Sequence, residues 1–117
     1  MFTYQSSDAV FQALAHESRR RILDIVKSQP GCSVGVLANH FDVSRIAVMN
    51  HLTVLERAGL ITSEKTGRTR HLYINIAPLQ MIYDRWTDDY SGYFAQQLTG
   101  IKYAAELAHK KTGGSSE

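Results

Sequence analysis

The stretch DVSRIAVMNHLTVLERAGL, residues 42 to 60, constrains the fold of this chain more than any other. Ser44 follows a turn-like Asp-Val pair and can cap a helix; Val48, Leu52 and Leu55 then recur three and four residues apart, the stripe that a helix buries. Gly59, suited to the left-handed conformation that ends helices, closes the segment. Such a helix has a second face, and here it carries Arg45, Ile46, Met49, Asn50 and Thr53. The rest of the chain must supply a core for one face and a use for the other.

The flanking sequence supplies the core. SSDAVFQALA opens with side chains that can cap a helix and places Val10, Phe11 and Leu14 at helical spacing. HESRRRILDIVKSQPG puts Ile22, Leu23, Ile25 and Val26 on one side of a second helix, which Pro30 and Gly31 end. Ser33 can cap VGVLANHF, a short helix with Val34, Leu37, Ala38 and Phe41 turned inward, and Asp42 and Val43 bridge to Ser44. In LITSEKTGRTRHLYINI the period changes: Ile61, Leu72, Ile74 and Ile76 alternate as in strands, and Gly67 supplies the reversal. This predicts a two-stranded hairpin with Arg68 and Arg70 at or just past its tip.

After Pro78 the helical period returns. Leu79, Ile82, Trp86, Tyr90, Phe94, Leu98, Ile101, Ala105 and Ala108 recur every three or four residues, on the order of 45 Å of helix if unbroken. Gly92 and Gly100 are the places where it would divide in two. The expected organisation is one domain over residues 1–117, mainly α with a small β-hairpin. It comprises a helix-turn-helix at 33–58, a wing at 60–76, a C-terminal helix or helices at 78–110 and a flexible tail at 111–117.

That order of elements is a winged helix-turn-helix, which gives the free face its use. The second helix of such a pair fits the DNA major groove, and its first turn is aimed at base edges. Asn50 can pair with adenine and Arg45 with guanine, while Ile46 or Met49 can touch a thymine methyl. Arg68, Thr69 and Arg70 on the wing can reach phosphates or a minor groove. The charge distribution agrees. Net charge is only +2, but residues 44–72 carry five cations and two anions, whereas 1–43 carry four of each and 73–117 carry four and five.

The elements FQALAHESRRRILDIV, LANHFDVSRIAVMNHLTVLERAGLI and GRTRHLYI resemble the ArsR/SmtB-type winged-helix regulators, bacterial dimeric repressors; the likeness runs from about residue 8 to residue 76. It implies that helix 44–57, beginning at Ser44, reads double-stranded DNA, and that residues 65–71 are the wing. It also implies that the first and last helices form a homodimer. Phe11 and Leu14 on the first, with Ile82, Trp86, Tyr90, Tyr93, Phe94, Leu98 and Ile101 on the last, are the expected interface. The bulk of that C-terminal stripe supports this, since burying each large group is worth roughly 1.5–3 kcal/mol. A two-fold dimer would set two reading helices about 34 Å apart on a palindrome. The same aromatic groups would alternatively line a pocket for an apolar small-molecule effector.

The family's metal-sensing residues are missing. Its Cys-x-Cys positions are Ser33 and Gly35 here, with Cys32 one residue out of register, and the C-terminal helix offers only Glu106 and His109. No cofactor or metal is expected. His51 is expected either to touch DNA or to brace the wing, and His16, His40 and His71 to serve as local hydrogen-bonding groups. Arg19, Arg20 and Arg21 point about 100° apart and cannot share one ligand; one is expected at the DNA backbone and at least one on a carboxylate. Asp84, Asp88 and Asp89 come without a nucleophile, a phosphate loop or a metalloprotease motif, so an enzyme is not expected. A lone cysteine, and no signal-like or membrane-spanning run, point to the cytoplasm. The rival expectation is a winged-helix module that binds protein through Ile46 and Met49.

Overall fold

The computed structural model describes residues 2–87. They form five helices and three strands: α1 (Tyr4–Leu14), α2 (Glu17–Ser28), β1 (Cys32–Ser33), α3 (Val34–Ala38), α4 (Arg45–Arg57), β2 (Ile61–Thr66), β3 (Thr69–Ile74) and α5 (Ala77–Thr87). The chain divides into a compact unit, Met1–Ile82, and a second unit from Tyr83 onward.

The core of the first unit is where the apolar periods converge. Val10 and Ala13 of α1, Ile22 and Val26 of α2, Leu37 of α3, Val48, Leu52 and Leu55 of α4, Leu60, and Leu72 of β3 have no exposure. Leu14, Ile25, Ala38, Phe41, Ile74, Leu79 and Ile82 pack around them half-buried. Phe11 does not join them and is 45% exposed, because Ala13 takes the inward position beside Val10.

Caps set the helix starts. Ser33 Oγ accepts from the Val36 amide and Ser44 Oγ from the Ala47 amide, both at 3.1 Å. α1 differs from expectation: Thr3 is its cap, accepting from the Ser6 amide at 3.0 Å, so the helix begins before the SSD cluster. α3 is also shorter than the sequence suggests. It stops at Ala38, and His40 and Phe41 continue in tighter turns bonded to Leu37 and Ala38. The cation of Arg21 lies 4.6 Å from the Phe41 ring centre and donates to the His40 carbonyl, fixing that turn.

The hairpin is a three-stranded antiparallel sheet in the order β1-β3-β2, not a two-stranded one. Cys32 and Ser33 pair with Leu72 and His71, and His71 donates through Nδ1 to the Gly31 carbonyl at 3.0 Å. β2 and β3 pair from Ile61↔Ile74 to Thr66↔Thr69, so the tip is Gly67-Arg68. Of these two only Gly67 has positive φ, +61°, the pattern of a type II′ hairpin. Ile76 does not extend the alternation. It is 60% exposed, because Asn75 breaks the strand: its amide donates to Leu60, Nδ2 to Gly59, and Oδ1 accepts from Ala77 at the start of α5.

Leu52, wholly buried in the middle of α4, is the sensitive position of this core. Leu52→Ala is expected to destabilise the fold by about 2–5 kcal/mol, read in urea unfolding as a lower midpoint at unchanged slope.

Candidate nucleic-acid interface

The face of α4 opposite its buried stripe is open. Ser44, Arg45, Ile46, Met49, Asn50 and Thr53 are exposed, Ile46 to 71%. Thr53 steadies the helix by donating its hydroxyl to the Met49 carbonyl at 3.0 Å. Toward the wing this face becomes one wall of a cleft of about 350 Å³, which brings together Arg45 and Met49 of α4, Ser33, Val34 and Gly35 at the start of α3, and Arg68, Thr69 and Arg70 of the wing. The Arg45 guanidinium lies over Gly35, where a Cβ would sit 3.9 Å from Nη1 and 4.0 Å from Nη2. Three guanidinium groups thus line one concavity on the side of α4 where its helix begins.

The three are not equivalent. Arg68, at the tip, is exposed, whereas Arg70 forms an ion pair with Glu56 on α4, both side chains about a third exposed. Ser63 of β2 donates to the same carboxylate oxygen at 3.2 Å. Glu56 therefore ties both wing strands to α4. It was not among the residues expected at the site, and neither were Ser33 and Gly35; the acidic residue in LERAGL was the available signal for the first.

His51 stands apart from the cleft and does not brace the wing. It is half-buried, its Nδ1 accepting from Arg19 Nη1 at 3.2 Å, with the His16 ring 4.5 Å away. Since arginine only donates, the His51 proton sits on Nε2. Burial, then the neighbouring His16 and Arg19, lower its pKa. His16 uses Nδ1 to accept from the Ser18 amide at the start of α2.

The arginine run finds carbonyls where a carboxylate was expected. Arg19 donates to Ala13 and Gln12, and Arg20 to Leu14, so that cations close the C-terminal end of α1.

Of the expected dimer residues, Phe11 is exposed, while Leu14 and Ile82 are half-buried against the core of their own chain. In the second unit Trp86 is 66% exposed. Tyr90, Tyr93, Phe94, Leu98, Ile101, Glu106 and His109 lie outside the described residues. A groove of about 350 Å³ beside α1 is lined by Phe2, Ala9, Pro78 and Met81 among others. Among the described residues no three His, Cys, Asp or Glu side chains cluster as metal ligands, and no helix is long and apolar enough to cross a membrane.

A capped helix-turn-helix with an open second helix, flanked by a β-wing carrying cations, is the architecture of a winged-helix DNA-binding domain. Residues 14–64 match the model of a helix-turn-helix domain. The chain is 41% identical over 98 residues to the HTH-type transcriptional regulator Rv2034 of Mycobacterium tuberculosis, a match covering 80% of this chain and 90% of that one. It is 32% identical over 71 residues to the transcriptional repressor SdpR of Bacillus subtilis, covering 61% and 78%. Among solved structures, an ArsR-like transcriptional regulator from Rhodococcus sp. RHA1 superposes with a TM-score of 0.65 at 31% identity, over 90% of this chain and 97% of that one. The chain belongs to the ArsR family of winged helix-turn-helix transcriptional regulators.

The lowered His51 pKa has a thermodynamic consequence. Below about pH 6.5 the unfolded chain protonates this histidine while the folded chain resists, so the unfolded state binds more protons and stability falls as the pH drops. Urea unfolding between about pH 7.5 and 5.5 should show that fall, and it should be shallower in His51→Gln.

Proposed function

We propose that this regulator is a homodimeric, metal-independent repressor that acts in the cytoplasm and occupies an inverted-repeat operator through α4 and the wing. The observation that carries the reading is the shared cleft: the open face of α4 and the wing arginines converge, so one duplex can engage both. In this reading Asn50, Arg45, Met49 and Ile46 read base edges, while Arg68 on the wing holds phosphates. The mechanism is occupancy of DNA, with no chemical step. SdpR, a relative named as a repressor, supports the direction of the effect.

Dimerisation through α1 and the C-terminal segment is supported by the apolar groups that α1 and α5 leave exposed, with Tyr4 at 75%, Phe11 at 45% and Met81 at 50%. The groove beside α1 suits an apolar effector of small size. The exposure of Ile46 and Met49, 71% and 41%, favours a second reading in which α4 binds a protein.

Fluorescence anisotropy on duplex DNA from upstream of the chain's own gene separates the two. Asn50→Ala should reduce the preference for that DNA over random duplex by about 1–3 kcal/mol. Arg68→Ala should weaken binding to both and lower the salt slope by about one. No preference in the wild type, and no change with Asn50→Ala, would leave the protein-binding reading.

A further inference from the structure

Arg70 lines the same cleft as Arg45 and Arg68, yet its guanidinium is bound to a carboxylate of the reading helix itself. A carboxylate beside a phosphate track is a cost to DNA binding: it repels the polyanion and neutralises one of three nearby cations. The geometry shows what Glu56 does there. It accepts from Arg70 of β3 and, on the same oxygen, from Ser63 of β2, so it grips both strands of the wing and fixes them to the last turns of α4. Glu56 and Arg70 are about a third exposed, 28% and 32%, enough shielding from water for the pair to hold better than a fully solvated one.

We propose that Glu56 is a positioning residue that withholds Arg70 from the DNA backbone, setting the wing's angle and limiting the number of phosphates each chain neutralises. The inference rests on the DNA-binding reading above. Its functional sense is specificity. Phosphate contacts strengthen binding to every sequence equally, so a regulator that must prefer one site gains nothing from a third cation that favours random duplex as well. The pair keeps the wing rigid without contributing that sequence-blind affinity.

Two variants test it, Glu56→Gln and the double variant Glu56→Gln/Arg70→Gln, each checked for folding by thermal unfolding. Binding to upstream and random duplexes is measured by anisotropy across salt. Glutamine keeps an oxygen for Ser63 but frees the Arg70 charge. Glu56→Gln should therefore bind both duplexes more tightly at low salt, with a slope steeper by about one. Its affinity should then fall about 3.5-fold more than that of the wild type between about 50 and about 200 mM salt. The double variant, which removes a pair that is neutral in the complex, should keep the wild-type slope.

A residue with only a stabilising role would lower the melting temperature and leave the slope of Glu56→Gln unchanged, which would overturn the proposal. A double variant whose slope drops by about one would overturn it too, since Arg70 would then be touching phosphate in the wild type. That failure is distinct from failure of the DNA reading itself, which would appear as wild-type binding that is weak and indifferent to salt, and to which the proposal would not survive. Should Glu56→Gln alone unfold, the double variant still decides, because it removes both charges and leaves none unpaired.

Discussion

Val48, Leu52 and Leu55 reach zero exposure on one side of α4, and the helix touches α1, α2, α3 and β2 around them. Turning α4 by a single residue would rotate it about 100° and bring that stripe into water, at a cost of roughly 5–9 kcal/mol. The axial orientation of α4 is therefore fixed by its hidden face. The open face follows passively: Arg45, Ile46, Met49 and Asn50 point outward because their neighbours must point inward. Ser44 sets the start of the helix more weakly than the stripe sets its rotation: its hydroxyl accepts from the Ala47 amide, a cap worth about 1 kcal/mol.

Polar groups hold the surrounding elements at the joints, where apolar packing alone leaves backbone unsatisfied. The carbonyls at the end of α1 receive Arg19 and Arg20, and the corner they make with α2 is completed by His16 and His51. Arg19 thus links the first helix to α4 through His51. At the other end of α4, Asn75 bridges Gly59, Leu60 and the first turn of α5, carrying the chain from the sheet into the last described helix. Gly59 sits at φ +78°, a conformation that a side chain would strain, which is why the turn after α4 falls on glycine.

The elements that follow from periodicity were legible in the sequence: the buried faces of α2 and α4, the caps at Ser33 and Ser44, the reversal at Gly67 and the alternation of Ile61, Leu72 and Ile74. What was not legible depends on partners distant in the chain. A two-residue strand at Cys32 and Ser33 has no period of its own and exists because β3 offers it an edge. The choice of Ala13 over Phe11 as the inward residue of α1 is decided by the room between helices, which spacing does not encode. His51 reads equally well as a base contact or a brace until Arg19, 32 positions away, is seen to hold it. The candidate site was legible as an open face of α4 and a basic wing tip, but not as a cleft, because Ser33 and Gly35 join it from the start of α3.

Counting charges along the segment overstates the cations that face a ligand. Residues 44–72 contain Arg45, Arg57, Lys65, Arg68 and Arg70. Arg57 lies in the last turn of α4, favourably placed on the helix dipole, and lines the groove beside α1 rather than the cleft. Arg70 is held by Glu56. The cleft is left with Arg45 and Arg68 as cations not committed to a carboxylate there. Exposed Lys65 on β2 is a further cation of the wing outside the cleft, and in the proposed reading each phosphate that these groups engage adds about 0.9 to the salt slope. In that reading a second copy on a two-fold operator doubles the contacts and raises affinity without adding a cation to either head. That doubling adds to the exposed apolar groups of α1 and α5 as physical support for the proposed dimer.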